Sequence, residues 1–220
     1  MKKFNIAVDG PSASGKSTIA KALADTYHLI HIDTGAMYRC VGYYAKSHDL
    51  DVNNEIAMVI ATKDCQIEFK NEKVFLNGED VSEAIRTEEI SWLASVLSTH
   101  ALVRAELVAL QQKMAQEKGF ILDGRDIGTV VLKDAEVKIF LTATSYARAK
   151  RRYLEYLAKD QMTDFETILK DIEKRDLQDS TRLNSPLMQA EDAIAVDTSE
   201  LTIPEVIYQI KEIITKKLGE

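Results

Sequence analysis

The sequence predicts an α/β protein: a five-stranded parallel sheet flanked by helices, with a small antiparallel insert. Three observations predict it. Short apolar runs alternate with stretches whose apolar residues recur at helical spacing. A glycine-rich segment directly follows the first run and opens a helical pattern. Between about Thr62 and Ser98 the pattern changes to a two-residue alternation, as a half-exposed hairpin requires.

Strands are expected at Phe4–Val8, Leu29–Ile32, Phe120–Leu122, Val137–Leu141 and Ala193–Val196, each short and apolar as strands covered on both faces tend to be. The first helix follows from Ile19, Leu23 and Tyr27 at i, i+4 and i+8. The last follows from the face formed by Ile203, Val206, Ile207, Ile210, Ile213 and Ile214. Thr163 with Glu166, and Thr202 with Glu205, have the spacing of capping boxes at helix starts. Gln66–Lys70 and Lys73–Asn77 alternate around Asn71-Glu72, which places a hairpin there. No repeat or Pro-rich linker separates this region, so 62–98 reads as a subdomain inserted into a core of 1–61 and 99–220. Ala158–Met162 reads as a flexible stretch between two charged helices, and Trp92, in the insert's helical part, as a packing residue.

Composition narrows the function classes. The 220 residues are enough for a core without disulfide staples, and 45% hydrophobic against 29% charged residues excludes a mainly disordered chain. With 28 basic and 35 acidic residues the net charge is −7, which argues against a general nucleic-acid or anionic-membrane surface. Any phosphate binding is therefore local. Cys40 and Cys65 have neither C-x-x-C spacing nor clustered histidines and read as reduced, buried thiols. Asn5 and Asp9 interrupt the first apolar run, which leaves no signal-peptide pattern, and no run approaches the ~20 residues of a membrane span. A cytoplasmic enzyme is expected.

Five of the nine glycines fall in three segments: Asp9–Thr18, Asp33–Arg39 and Asp123–Gly128. Each sits where an apolar strand candidate ends. The first contains Gly10-Pro11-Ser12-Ala13-Ser14-Gly15-Lys16-Ser17, a complete G-x-x-x-x-G-K-[ST] between a strand and an amphipathic helix. The backbone of Gly10, Ser12, Ala13, Ser14, Gly15, Lys16, Ser17 and Thr18 is suited to cradling the phosphates of ATP. Lys16 supplies positive charge to them, and the Ser17 hydroxyl a ligand for Mg2+. Asp123, ending a strand, is the candidate second partner of that ion.

A phosphate-binding loop does not name the acceptor. The chain has no N-K-x-D guanine-reading motif, which favours a kinase over a GTPase. Of its nine arginines, eight become interpretable, Arg39, Arg104, Arg125, Arg148, Arg151, Arg152, Arg175 and Arg182, several of them beside the glycine motifs or on the C-terminal helices. Transfer between two nucleotides must neutralise two polyanions, and the guanidinium fork suits phosphate oxygens. Arg39, Arg125 and Arg182 read as functional, Arg148 and Arg152 as solvated helix charges. His28, His31, His48 and His100 are scattered and read as structural or exposed.

The segments Asp9–Thr18, Asp33–Arg39, Asp123–Val131 and Lys174–Arg182, with Asp197-Thr198 before the last helix, together resemble the bacterial cytidylate kinases. The resemblance runs nearly end to end. It implies a P-loop kinase fold, a monophosphate-binding insert at 62–98 and a short lid near 151–163. It also implies transfer of the ATP γ-phosphate to CMP, or dCMP, by a monomer that binds neither nucleic acid nor membrane. On matching positions it implies that Arg39, Arg125 and Arg182 hold the acceptor phosphate, and that Ser95, Arg104 and Asp126 read the cytosine. Arg175 and Asp179 would contact the sugar or its surroundings, and Arg151 would be the lid arginine at the ATP phosphates. Thr34 stands where some members carry serine, which keeps the hydroxyl. Lys16, Arg125, Arg151 and Arg182 are thus the expected catalytic groups.

Two other classes remain open on the residues alone. A kinase acting on an alcohol would need a general base, for which Asp33 is placed, and a nucleotide switch would bind without rapid turnover.

Overall fold

A computed structural model describes residues 3–219 apart from Asn71, Lys159 and Gln161. In chain order the elements are β1 (Ile6–Asp9), α1 (Lys16–Tyr27), β2 (Ile30–Asp33), α2 (Thr34–Ser47), α3 (Glu55–Asp64), β3 (Ile67–Lys70), β4 (Lys73–Leu76), β5 (Glu79–Asp80), α4 (Glu88–Leu97), α5 (Ala101–Met114), β6 (Phe120–Gly124), β7 (Val137–Thr142), α6 (Ser145–Leu157), α7 (Phe165–Thr181), β8 (Ile194–Asp197) and α8 (Ile203–Leu218). A π-helical turn, Ile127–Val131, follows β6. The chain forms two compact units, Met1–Ile30 with Lys118–Glu220, and His31–Glu117.

The main sheet has five strands in the order β2-β6-β1-β7-β8, and β1 pairs in parallel with both β6 and β7. Each strand ends one or two residues later than its apolar run suggests, because the closing aspartates Asp9, Asp33 and Asp197 and the glycine Gly124 still hold extended backbone. The central strands are buried on both faces. The outer two are not: Ile30 of β2 is 54% exposed, and only Val196 of β8 is buried. Edge strands lack a neighbour to cover them.

In the first unit, Ile6, Val8, Ile19, Leu23, Ile121, Ile139, Val206, Ile210 and Ile214 share one core between sheet, α1 and α8. The α8 face expected from its isoleucines is therefore the packed one, apart from exposed Ile203. Its start carries the expected capping box, with Glu205 accepting from the Thr202 backbone N–H at 2.8 Å. At α7 the cap is Asp164, whose carboxylate accepts from Thr167 N, and not Thr163. A carboxylate one residue later reaches the same free amides. A second small core, Ala149, Ile168 and Ile172, joins α6 to α7 and is covered by Ala13, Tyr153 and Phe165.

In the second unit the hairpin pairs Ile67 with Leu76 and Lys70 with Lys73. A third strand, β5, pairs with β4; at two residues it is too short to show an alternation. Asn71 of the expected turn lies outside the described residues, as do Lys159 and Gln161 of the expected flexible stretch. Trp92 is 59% exposed, so it is not the packing residue its apolarity suggested: α4 buries Ile90, Leu93, Ala94 and Leu97 instead. Cys40 and Cys65 are buried and unbridged, and burial pushes both thiols up to about 12. No single helix among the described residues is long and apolar enough to cross a membrane.

Candidate active site

The loop between β1 and α1 has the geometry its composition predicts. Gly10 has φ 151° and Gly15, which caps α1, has φ 89°. A Cβ on Gly10 would lie 2.4 Å from the Leu141 carbonyl oxygen, so no other residue fits there. Ala13 adopts φ 57°, a left-handed conformation unusual for alanine. Lys16 is buried, and its Nζ donates to Pro11 O at 2.6 Å within the loop. Burial, then the positive charges of Arg125 and Arg175, hold its pKa well below the usual lysine value, against the pull of Asp123 and Asp9. A cation kept among cations favours the arrival of anions.

Ser17 Oγ donates to Asp123 Oδ2 at 2.8 Å. A hydroxyl and a carboxylate converging at the head of the loop fit Mg2+, a hard cation that takes few protein oxygens and fills its shell with phosphate oxygens and water. No group of three or more His, Cys, Asp or Glu side chains among the described residues forms an all-protein metal cage.

Beyond β6, Arg125, Asp126, Arg175, Asp179 and Arg182 form one charged cluster. Residues 175, 179 and 182 share a face because they sit four and seven positions apart at the end of α7. Arg125 Nε donates to Asp179 Oδ2 at 2.7 Å, and Arg182 Nη1 lies 4.0 Å from Asp179 Oδ1. Arg182 Nη2 is also 4.0 Å from Asp126. Burial would raise the Asp179 pKa; Arg125, Arg175 and Arg182 outweigh it and hold this carboxyl below the usual range.

Asp9, at the end of β1, orders the neighbouring loop. Its Oδ1 and Oδ2 accept from the backbone N–H of Ile127 and of Gly128, each at 2.7 Å. Burial outweighs these bonds and pushes its pKa up from 3.8 to about 6. The native state therefore binds more protons than the unfolded chain across that window, and this group's contribution to stability falls as pH rises from about 4 to about 6. Asp33 and Asp179 are shifted the opposite way, so their contributions are lost only at lower pH. Between about pH 4 and pH 7, wild type is expected to lose about 2 kcal/mol of unfolding free energy relative to Asp9→Asn. Denaturant titrations at both pH values check this, and a pH-independent difference overturns it.

Arg148 corrects the sequence reading. It is 3% exposed and bonded on all sides rather than solvated. Isolated helix arginines are usually wet, but this one meets loop carbonyls and a carboxylate that sequence spacing does not reveal. Arg152 is half-buried, with Glu155 at 3.7 Å and the Tyr156 ring at 6.0 Å. Arg151 donates to both the hydroxyl and the carbonyl of Thr198. Asp9, Arg148 and Thr198 are the site-forming residues the sequence did not single out as such. A buried Asp directly before the loop was the one available signal.

In the second unit, Asp33 caps α2 by accepting from Ala36 N at 3.0 Å and binds Arg39 Nη2 at 2.6 Å. Burial raises its pKa, but the Arg39 charge and the amide outweigh this and hold it below the usual range. A carboxylate so engaged is a poor general base. Thr34 opens α2, Ser95 lies on α4, and Arg104 on α5 is buried, with its guanidinium 5.7 Å from the Tyr38 ring centroid. Among the histidines, His100 meets the Val52 carbonyl at 2.8 Å, His28 ends α1, and His48 stacks on Tyr44.

A phosphate-binding loop on a parallel sheet, with a buried lysine, a Ser–Asp pair at its head and an arginine cluster beyond, defines a phosphoryl-transferring enzyme of the P-loop kinase class. The chain belongs to the cytidylate kinase family, which it matches over residues 6–216. It is 48% identical to the cytidylate kinase of Enterococcus faecalis, over 99% of this chain and 98% of that one. It is 49% identical to that of Caldicellulosiruptor saccharolyticus, over 100% and 99%. A shikimate kinase from Bacteroides thetaiotaomicron shares the fold, with TM-score 0.51 at 12% identity over 96% of this chain and 98% of that one.

Proposed function

We propose that the protein transfers the γ-phosphate of ATP to CMP, and to dCMP as a second acceptor, giving ADP and CDP or dCDP. The observation that carries this reading is the Arg125, Arg175 and Arg182 cluster around Asp179. Three guanidiniums are suited to an anionic acceptor, and Asp33, the one base an alcohol acceptor would use, is engaged by Arg39.

In this reading the loop Gly10–Thr18 cradles the ATP phosphates. Lys16 lies beside the β- and γ-phosphates, where negative charge develops on the β,γ-bridging oxygen as its bond to the transferred group breaks. Ser17 and Asp123 hold Mg2+, which supplies charge neutralisation of the phosphates. Arg39, Arg125 and Arg182 hold the acceptor phosphate, whose second pKa near ~6 leaves an anionic oxygen to attack without a strong base. Arg175 and Asp179 order the sugar side, Thr34 and Ser95 complete the acceptor contacts, and Arg151 turns to the ATP phosphates from the lid near 151–163. Segment 62–98 serves as the monophosphate-binding subdomain. The enzyme works in the cytoplasm as a monomer.

The test is ADP release across a panel of nucleoside monophosphates and alcohols. CMP and dCMP should lead; turnover led by an alcohol overturns the reading, as does binding without turnover.

Base choice is assigned to Asp126 and Arg104. Cytosine offers an N4 donor beside N3 and O2 acceptors, whereas uracil presents O4 and a protonated N3. Asp126→Asn is expected to narrow the CMP to UMP ratio of kcat/KM about tenfold, mostly by loss on CMP. An unchanged ratio at saturating ATP places base reading elsewhere.

A further inference from the structure

We propose that Arg148 is a positioning residue for the phosphate-donor loop: its guanidinium pins the Ser12 carbonyl outward, and Asp176 holds that guanidinium in place. This rests on the reading of Gly10–Thr18 as the donor-phosphate cradle.

The guanidinium makes four hydrogen bonds from within the protein. Nε donates to Ala143 O at 3.0 Å, and Nη1 to Ser12 O at 3.2 Å and to Asp176 Oδ1 at 2.9 Å. Nη2 donates to Asp176 Oδ2 at 2.5 Å. Arg148 thus joins three segments distant in sequence: the loop, the β7–α6 connection and α7. The side chain is 4% exposed, and a buried guanidinium so fully engaged has one accessible geometry.

The consequence for the loop follows from peptide geometry. In a trans peptide the carbonyl and the next amide point in opposite directions. With Ser12 O drawn toward Arg148, the Ala13 N–H must face the other way. Ala13 also holds φ 57°, which an alanine keeps only when its surroundings over-determine it. The carbonyl anchor on one side and the packing of Ala13 against the α6–α7 core on the other supply that constraint. A second loop carbonyl is held similarly: Ser14 O lies 3.4 Å from the Thr198 hydroxyl, which Arg151 in turn contacts. Carbonyls turned outward leave amides turned inward, the arrangement that binds an anion.

Arg148 could instead be no more than a tie between α6 and α7. The two roles differ in which ligand is affected. Binding of ADP with Mg2+ and of CMP should be measured by calorimetry on wild type, Arg148→Lys, Asp176→Asn and the double variant, with melting temperatures alongside. Arg148→Lys is expected to weaken ADP about tenfold and CMP less than twofold, because a lysine cannot span the Ser12 carbonyl and both Asp176 oxygens. Asp176→Asn should weaken ADP about threefold in the same selective way, and the double variant should be no worse than Arg148→Lys alone, since both act through one contact. Equal loss of ADP and CMP affinity, or no loss of ADP affinity, overturns the proposal. If Arg148→Lys does not fold, Asp176→Asn carries the test, its side chain being 29% exposed. Lys16→Ala, run in parallel, separates the two claims. Intact ADP affinity together with intact turnover in Lys16→Ala overturns the reading of the loop itself. Weakened binding there, with unchanged binding in Arg148→Lys, overturns the positioning role alone.

Discussion

Lys16→Ala is expected to lower kcat by about 10²–10³-fold while changing CMP affinity less than threefold. The Lys16 ammonium is buried in the glycine-rich loop, held on Pro11 O at 2.6 Å with Ser14 Oγ at 3.5 Å. Burial and the nearby charges of Arg125 and Arg175 disfavour its protonation, so it gains most when negative charge arrives beside it. Negative charge builds on the β,γ-bridging oxygen only as its bond to the transferred group breaks, so the loss falls on the chemical step. Steady-state kinetics and direct CMP binding check it together. Equal losses in turnover and CMP affinity would show that Lys16 serves the acceptor instead.

Asp179→Asn is expected to cost both stability and activity. Its carboxylate is buried and opposes three guanidiniums, with Arg125 Nε at 2.7 Å. Removing one partner of a buried ion pair leaves the others uncompensated, typically by about 3–5 kcal/mol. Because the closest contacts of this carboxylate are to arginines, placement of those arginines is its main task, and a ribose hydroxyl would be secondary. The expected result is a fall of about a hundredfold in kcat/KM for CMP and dCMP alike. A loss confined to CMP would assign Asp179 to the 2′-hydroxyl, and unchanged kinetics for both would remove it from the site.

The phosphate loop was legible in the sequence because its chemistry is local. Gly10, Gly15, Lys16 and Ser17 are fixed by backbone conformation and reach within one strand–turn–helix, so their spacing carries the information. The arginines were legible as a set but not in their roles. Arg148 and Arg152 lie on one helix four residues apart, and spacing cannot say that the first is buried on a loop carbonyl and the second pairs with Glu155. Trp92 likewise follows α4 onto an exposed face although it is the largest side chain on that helix.

The sequence by itself determined the alternation of strands and helices, the glycine-rich loop between the first strand and helix, and the unbridged cysteines, since each depends on residues close in the chain. Only the tertiary structure decided what Asp9, Arg148 and Asp179 do. Their partners lie 118, 136 and 54 residues away. A buried charge takes its role from whichever groups the fold brings within hydrogen-bonding distance, and no local pattern records those groups.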